Sequence, residues 1–100
     1  MKISSVKLQQ AVEALRRMGA RRVVVYGEAA ETPENTVDVD LAVEGIPVTK
    51  LVEASAAVHE LLGVPTDLLT REENPALYKL VSRFGLVLYQ NPKPAAPHPF

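Results

Sequence analysis

The sequence contains no cysteine among its 100 residues. Disulfide frameworks, thiolate zinc sites and cysteine nucleophiles are therefore excluded, and any metal ion must be held by oxygen or imidazole groups. The chain also lacks an excess of charge of either sign, since 11 basic and 12 acidic residues give a formal net charge of -1. Without a basic surplus there is no overall field to attract duplex nucleic acid or anionic lipid, so we expect neither as a partner.

Long hydrophobic runs are missing as well. No uninterrupted apolar segment approaches the ~20 residues that a membrane-spanning helix needs. Residues 1–15 alternate apolar with charged and amide side chains too often for the hydrophobic region of a signal peptide. We therefore expect a cytoplasmic protein that does not engage a membrane.

The composition is that of a single globular domain followed by a tail. Hydrophobic residues make up 47% and charged residues 23% of a chain that has room for only one ordinary core. Four of the eight prolines fall within residues 91–100. Proline supplies no backbone N–H and favours extended conformations, so we expect a domain at residues 1–90 and a flexible tail at residues 91–100.

Apolar spacing and turn residues predict the element order α-β-β-α-β-α-β, an α/β (α+β) fold. Strands are predicted at residues 22–27, 37–43, 64–69 and 86–89. Before the last strand, Asn74 and Pro75 open the third helix. The apolar positions predicted to face inward from this helix are Leu77, Leu80, Val81 and Phe84.

Two aspartates lie two residues apart in the second predicted strand. Asp38 and Asp40 alternate with valines, so both carboxylates project from one face, ~6.6 Å apart along the strand. Carboxylates beside apolar strands repel each other and lose solvation unless the face is wet or a cation neutralises them. Mg²⁺ is the natural cation, because it binds carboxylate, water and phosphate oxygens.

A third aspartate, Asp67, lies in the third predicted strand. If this strand adjoins the second, three carboxylates converge as metal-assisted phosphoryl or nucleotidyl transfer requires. A solvated strand face is the alternative interpretation of an Asp-x-Asp pair. The upstream Gly27, which ends the first predicted strand, and the third aspartate favour the functional interpretation.

Several segments together resemble the minimal nucleotidyltransferases (MNT) of the polymerase-beta-like superfamily. They are Val-Val-Val-Tyr-Gly-Glu at 23–28, Val-Asp-Val-Asp-Leu-Ala-Val at 37–43, Val-Pro-Thr-Asp-Leu-Leu at 64–69 and Leu-Val-Ser-Arg-Phe-Gly-Leu-Val-Leu-Tyr at 80–89. The resemblance covers residues 1–90. It implies the nucleotidyltransferase fold, a mixed sheet of about four strands with helices packed on it.

The same resemblance implies the roles of individual residues. Asp38, Asp40 and Asp67 would form the metal-binding and catalytic triad, with Mg²⁺ or Mn²⁺ as the metal and ATP as the nucleotide substrate. Gly27 would open the phosphate-binding loop. That loop is usually Gly-Ser followed by an arginine and another glycine, whereas residues 27–32 read Gly-Glu-Ala-Ala-Glu-Thr.

Glu28 takes the place of the usual serine. A carboxylate ~4 Å from a triphosphate would oppose binding by ~1–4 kcal/mol per charge pair. Glu28 therefore either serves as a further metal ligand or points outward while loop N–H groups meet phosphate.

Three functions follow from the resemblance and the altered loop. The first is Mg²⁺-dependent transfer of AMP from ATP to a hydroxyl, in the antitoxin-type half of a two-protein HEPN/MNT toxin–antitoxin system. The second is a catalytically degenerate module that acts only by binding a protein partner. The third is a cation-binding or structural domain. Because the chain is too short to include an acceptor half, a HEPN-type partner or a homo-oligomer is expected to complete the cleft.

Overall fold

The predicted order of elements is confirmed in a computed structural model, which describes residues 5–27 and 38–91. One turn of 3-10 helix precedes the second α-helix and was not predicted. The elements are α1 (Ser5–Arg17), β1 (Arg22–Tyr26), β2 (Val39–Glu44), the 3-10 turn (Val48–Lys50), α2 (Leu51–Leu62), β3 (Thr66–Thr70), α3 (Pro75–Phe84) and β4 (Leu86–Gln90).

The four strands form one mixed sheet in the order β3-β2-β1-β4. β1 pairs antiparallel with both β2 and β4, whereas β2 and β3 are parallel. Parallel neighbours need a crossover connection, and α2 supplies it between β2 and β3. The predicted α+β class and the sheet of about four strands are therefore confirmed.

Helices cover both faces of the sheet, which explains the run of three valines in β1. Val23 and Val25 point into the larger core, between the sheet and the helices α1 and α2. Val24 points the other way, into a smaller core with Ala42 and Tyr78 of α3. The residues buried in the larger core are Ala11, Leu15, Ala20, Val23, Val25, Val39, Leu41, Val43, Ile46, Ala54, Val58, Leu62 and Val64.

Element boundaries differ from prediction by one or two residues. β2 begins at Val39, so Asp38 lies in a bend immediately before the strand rather than within it. The predicted loop at residues 28–36, including Glu28, and residues 92–100 of the predicted tail lie outside the described residues. The division into a domain and a tail stays a prediction.

The prediction for the inward face of α3 is wrong at three of four positions. Leu77, Leu80 and Phe84 are 42%, 55% and 81% exposed, while Tyr78 is buried at 6% and Val81 is half-buried. The N-terminal signal was correct, because the Asn74 side chain accepts a hydrogen bond from the Leu77 N–H. Helical spacing identifies an apolar stripe, but it does not say whether the chain's own sheet covers that stripe.

In the parts of the chain that the structure describes, every helix is too short or too polar to cross a bilayer.

Tyr78 buries a hydroxyl group that has no hydrogen-bond partner among the described residues. Burial is the main cause that raises the pKa of Tyr78, so the hydroxyl stays protonated. We expect Tyr78→Phe to stabilise the fold by about 1 kcal/mol, because it removes a buried polar group without changing the ring. Urea unfolding measures the change.

Tyr89→Phe is the control for this substitution. The Tyr89 side chain is half-buried, and we expect its change to alter the free energy of unfolding by less than about 0.5 kcal/mol. A loss of stability in Tyr78→Phe would contradict the prediction.

Candidate functional site

The sheet register brings two of the predicted aspartates side by side. Asp40 of β2 lies opposite Asp67 of β3 in the parallel pair, and it lies opposite Tyr26 of β1 in the antiparallel pair. Residues opposite each other on neighbouring strands point to the same face, with the strands ~4.8 Å apart. Asp67 therefore projects from the same face of the sheet as Asp40, as the sequence-based hypothesis required.

The third predicted aspartate also acts on this cluster. The pKa of Asp40 is raised by burial, then by the negative charges of Asp38 and Asp67. Charges influence one another this way only at short range, so all three carboxylates contribute to one negative site. We call Asp38, Asp40 and Asp67 the carboxylate cluster.

Tyr26 is a neighbour of the cluster that was not among the predicted site residues. Burial, followed by the charges of Asp40 and Asp67, raises the pKa of Tyr26. Its hydroxyl is therefore protonated at neutral pH and available as a hydrogen-bond donor. The alternation of side chains along β1 could have identified Tyr26 from the sequence. Val23 and Val25 face the larger core, so Tyr26 faces the other side of the sheet, with Asp40.

Gly27 brings backbone against the central carboxylate. Its φ of +73° lies in the left-handed region, and a Cβ atom built there would stand 2.7 Å from Asp40 Oδ2. A residue with a side chain would therefore have to displace the Asp40 carboxylate. The assignment of Gly27 as a cofactor-binding residue stays a prediction, and Glu28 lies outside the described residues.

The carboxylate cluster has the donor chemistry of a hard divalent cation, but its side chains do not form a closed ligand set. Within residues 5–27 and 38–91, no three acidic or histidine side chains are placed to hold one ion together. Three carboxylates nevertheless match the oxygen ligands that Mg²⁺ and Mn²⁺ prefer. A cation would also relieve the repulsion that raises the pKa of Asp40. The residues fit such an ion in kind, and binding it requires the carboxylates to turn toward one another.

Within the described residues, the cluster is partly accessible to solvent. Asp67 is exposed, and Asp38 and Asp40 are half-buried. A groove of about 420 Å³ exists elsewhere, between α1 and β4, and its lining includes Val12 and Val87 but none of the aspartates. The groove is therefore separate from the carboxylate cluster.

No protein-family model and no curated protein matches the chain. One solved structure with a similar fold comes from a mutant of the toxin–antitoxin pair MntA–HpeT, with a TM-score of 0.70 and 16% identity. The match covers 85% of this chain and 73% of that one.

Another similar structure is that of a protein assigned as a minimal nucleotidyltransferase. It has a TM-score of 0.66 and 28% identity, over 81% of this chain and 88% of that chain. The two similarities cover 85% and 81% of this chain, so they concern the whole fold rather than one motif. The resemblance drawn from the sequence segments is confirmed at the level of the fold.

Proposed function

We propose that this chain, which has the fold of the minimal nucleotidyltransferases, transfers AMP from ATP to a hydroxyl group of a protein partner. The observation that carries the proposal is the pairing of Asp40 with Asp67 across adjacent parallel strands. The glycine backbone pressed against Asp40 Oδ2 supports it, because a phosphate chain needs backbone N–H groups without intervening side chains.

In this proposal the carboxylate cluster holds Mg²⁺ or Mn²⁺. When bound, the ion would neutralise negative charge on the carboxylates and on the triphosphate. Asp38 and Asp40, which are less exposed, are its principal ligands. Gly27 allows the loop backbone to approach phosphate, and Glu28 is either a further ligand or directed away from it.

Asp67, the exposed member of the cluster, faces the acceptor. The acceptor oxygen forms a bond to the α-phosphorus, and the bond from this phosphorus to the oxygen bridging to the β-phosphate breaks. Pyrophosphate leaves with the electron pair, and the Asp67 carboxylate takes the proton of the hydroxyl. The protonated Tyr26 hydroxyl, opposite Asp40 on β1, would supply a hydrogen-bond donor beside the cluster.

The partner in the proposal is a HEPN-type toxin, and the chain acts as its antitoxin. The support is the structural neighbour from a toxin–antitoxin pair, together with the exposure of Asp67. Modification of a hydroxyl on the toxin would add a bulky anionic group there and block its activity.

Position-specific labelling of ATP tests this proposal. The chain, Mg²⁺ and a HEPN-type protein encoded beside it are incubated with ATP labelled at either the α- or the γ-phosphorus. We expect label on the partner from α-labelled ATP only, and none when a methylene group replaces the oxygen between the α- and β-phosphorus. Transfer of the γ-label would identify a kinase instead and would contradict the proposal.

A second candidate function is the degenerate module that neutralises its partner by binding alone. The Gly-Glu loop and the unclosed ligand set favour it. Under this alternative the partner is inhibited on mixing, without nucleotide or metal, and remains unlabelled. Under the enzymatic proposal inhibition requires Mg²⁺ and ATP, persists after the chain is removed, and accompanies a mass increase of the partner.

A further inference from the structure

A group of large apolar side chains is exposed along α3 and the start of β4. We call it the α3–β4 surface, and its residues are Leu77, Leu80, Phe84, Leu86 and Val87, exposed by 42% to 81%. Chains that remain monomeric rarely expose so many neighbouring apolar groups, and such a group marks an interaction site. The surface is also the place where the predicted inward face of α3 proved wrong.

The geometry of α3 makes the three helical members of this surface one stripe. Positions 77, 80 and 84 lie three and four residues apart, so their side chains follow one face of the helix. Tyr78 and Val81 attach the adjacent face to the sheet. Beyond the helix, Leu86 and Val87 belong to β4, an edge strand whose outer side pairs with no described strand. They are consecutive strand residues that point to opposite faces of the sheet, so only one of them can lie on the α3 side.

Charge decides what kind of molecule can cover the stripe. Residues 75–90 include two basic residues, Lys79 and Arg83, and no acidic residue. A second copy docked through the same surface about a twofold axis would place these cations against their own duplicates, which disfavours a dimer of that kind. A different protein with acidic residues beside its apolar stripe would be complementary.

The stripe leads to the carboxylate cluster. At Gly85, which follows α3, an added Cβ would lie 2.7 Å from the Val25 carbonyl oxygen. Val25 immediately precedes Tyr26, the neighbour of Asp40 on β1. The end of α3 that carries the exposed Phe84 is therefore at the same end of the sheet as the cluster.

We infer that the α3–β4 surface docks a protein partner through an amphipathic helix whose apolar stripe is bordered by acidic residues. Docking at this surface brings the partner to the carboxylates, an extension that rests on the proposed function. Apolar side chains of the partner pack on Leu80 and Phe84, and its acidic border pairs with Lys79 and Arg83.

A pair of synthetic helical peptides tests the inference without nucleotide or metal. Each has about 18 residues, long enough to exceed the ~12–15 at which isolated helices are marginal. Both carry the same leucine stripe, bordered by glutamates in one and by lysines in the other. Binding to the full chain is measured by calorimetry, and we expect the glutamate peptide to bind more tightly by at least ~10-fold.

Variants of the chain then locate the binding site. Phe84→Ser should weaken binding of the glutamate peptide by at least ~10-fold, as expected for a central apolar anchor. Val52→Ser is the matched control, since Val52 is 84% exposed on α2 and its substitution should leave binding unchanged. The double change Lys79→Glu and Arg83→Glu should reverse the preference toward the lysine peptide.

Several outcomes would overturn the inference. Equal binding of the two peptides would remove the charge argument, and equal weakening by Phe84→Ser and Val52→Ser would remove the location. Light scattering of the chain alone is the remaining measurement. A dimer that Phe84→Ser abolishes would show that a second copy covers the surface. If the glutamate peptide binds but the chain transfers no AMP, the docking site is supported and only the proposed function is contradicted.

Discussion

Asp40→Asn is expected to reduce AMP transfer by ~100-fold or more while making the metal-free protein more stable. Asp40 is the central carboxylate, in register with both Tyr26 and Asp67. Removing one preorganised group that stabilises charge in the transition state lowers the reaction rate by ~10²–10³-fold. The amide is similar in size to the carboxyl group, so this loss would come from charge rather than from packing.

The gain in stability follows from the direction of the Asp40 pKa. Burial and the charges of Asp38 and Asp67 raise this pKa in the folded state, so the ionised carboxylate opposes folding. At pH values between the pKa of Asp40 in the unfolded chain and its raised pKa in the folded state, the folded protein binds more protons than the unfolded chain. Stability due to this group is therefore highest at acidic pH and falls as the pH rises through that window. Asparagine removes the penalty, by up to about 1 kcal/mol for a partly exposed group.

Thermal unfolding at two pH values, with and without Mg²⁺, measures these effects. Wild-type protein should be stabilised by Mg²⁺, because a ligand that binds only the folded state shifts the equilibrium, and Asp40→Asn should respond much less. Glu60→Gln, an exposed carboxylate on α2, is the control and should preserve both transfer and the Mg²⁺ response. A variant that loses stability yet retains full transfer would contradict the assignment of Asp40.

Gly27→Ala is expected to have the second largest effect, and Gly63→Ala isolates its cause. The two glycines have nearly equal φ values, +73° and +71°. A Cβ at Gly27 would lie 2.7 Å from Asp40 Oδ2, whereas a Cβ at Gly63 would meet nothing within 4 Å. Both substitutions should cost about 1–2 kcal/mol of stability, because alanine is strained in the left-handed region.

Only Gly27→Ala should affect the reaction. Displacing the Asp40 carboxylate by ~1 Å is enough for a ~100-fold loss of rate. Gly63→Ala, which alters the end of α2 on the other face of the sheet, should retain wild-type transfer per folded molecule. Unfolding curves and initial rates of α-label transfer, measured on both variants, separate strain from displacement. Equal losses of rate in the two variants would show that the close approach at Gly27 has no role in transfer.

The sequence alone was sufficient for the parts of the fold that depend on local chemistry. Element order followed from apolar spacing and from turn residues such as Asn74 and Pro75, which begin α3. The period of two in β2 also placed Asp40 on the face opposite the valines, because side chains alternate strictly along a strand. The local pattern was therefore sufficient to place Asp40 on the face of the site, whereas the selection of Asp38 and Asp67 with it also depended on the resemblance of the sequence segments.

Contacts between residues that are distant in the sequence were decided only by the tertiary structure. The parallel pairing of β2 with β3 put Asp67 beside Asp40, and the packing of α3 through Tyr78 left Leu80 and Phe84 exposed. Neither result is local, because strand order and helix rotation are set by competition among all surfaces for burial. A sequence reports which side chains avoid water, but the fold determines which of them its own core covers and which remain exposed for another protein.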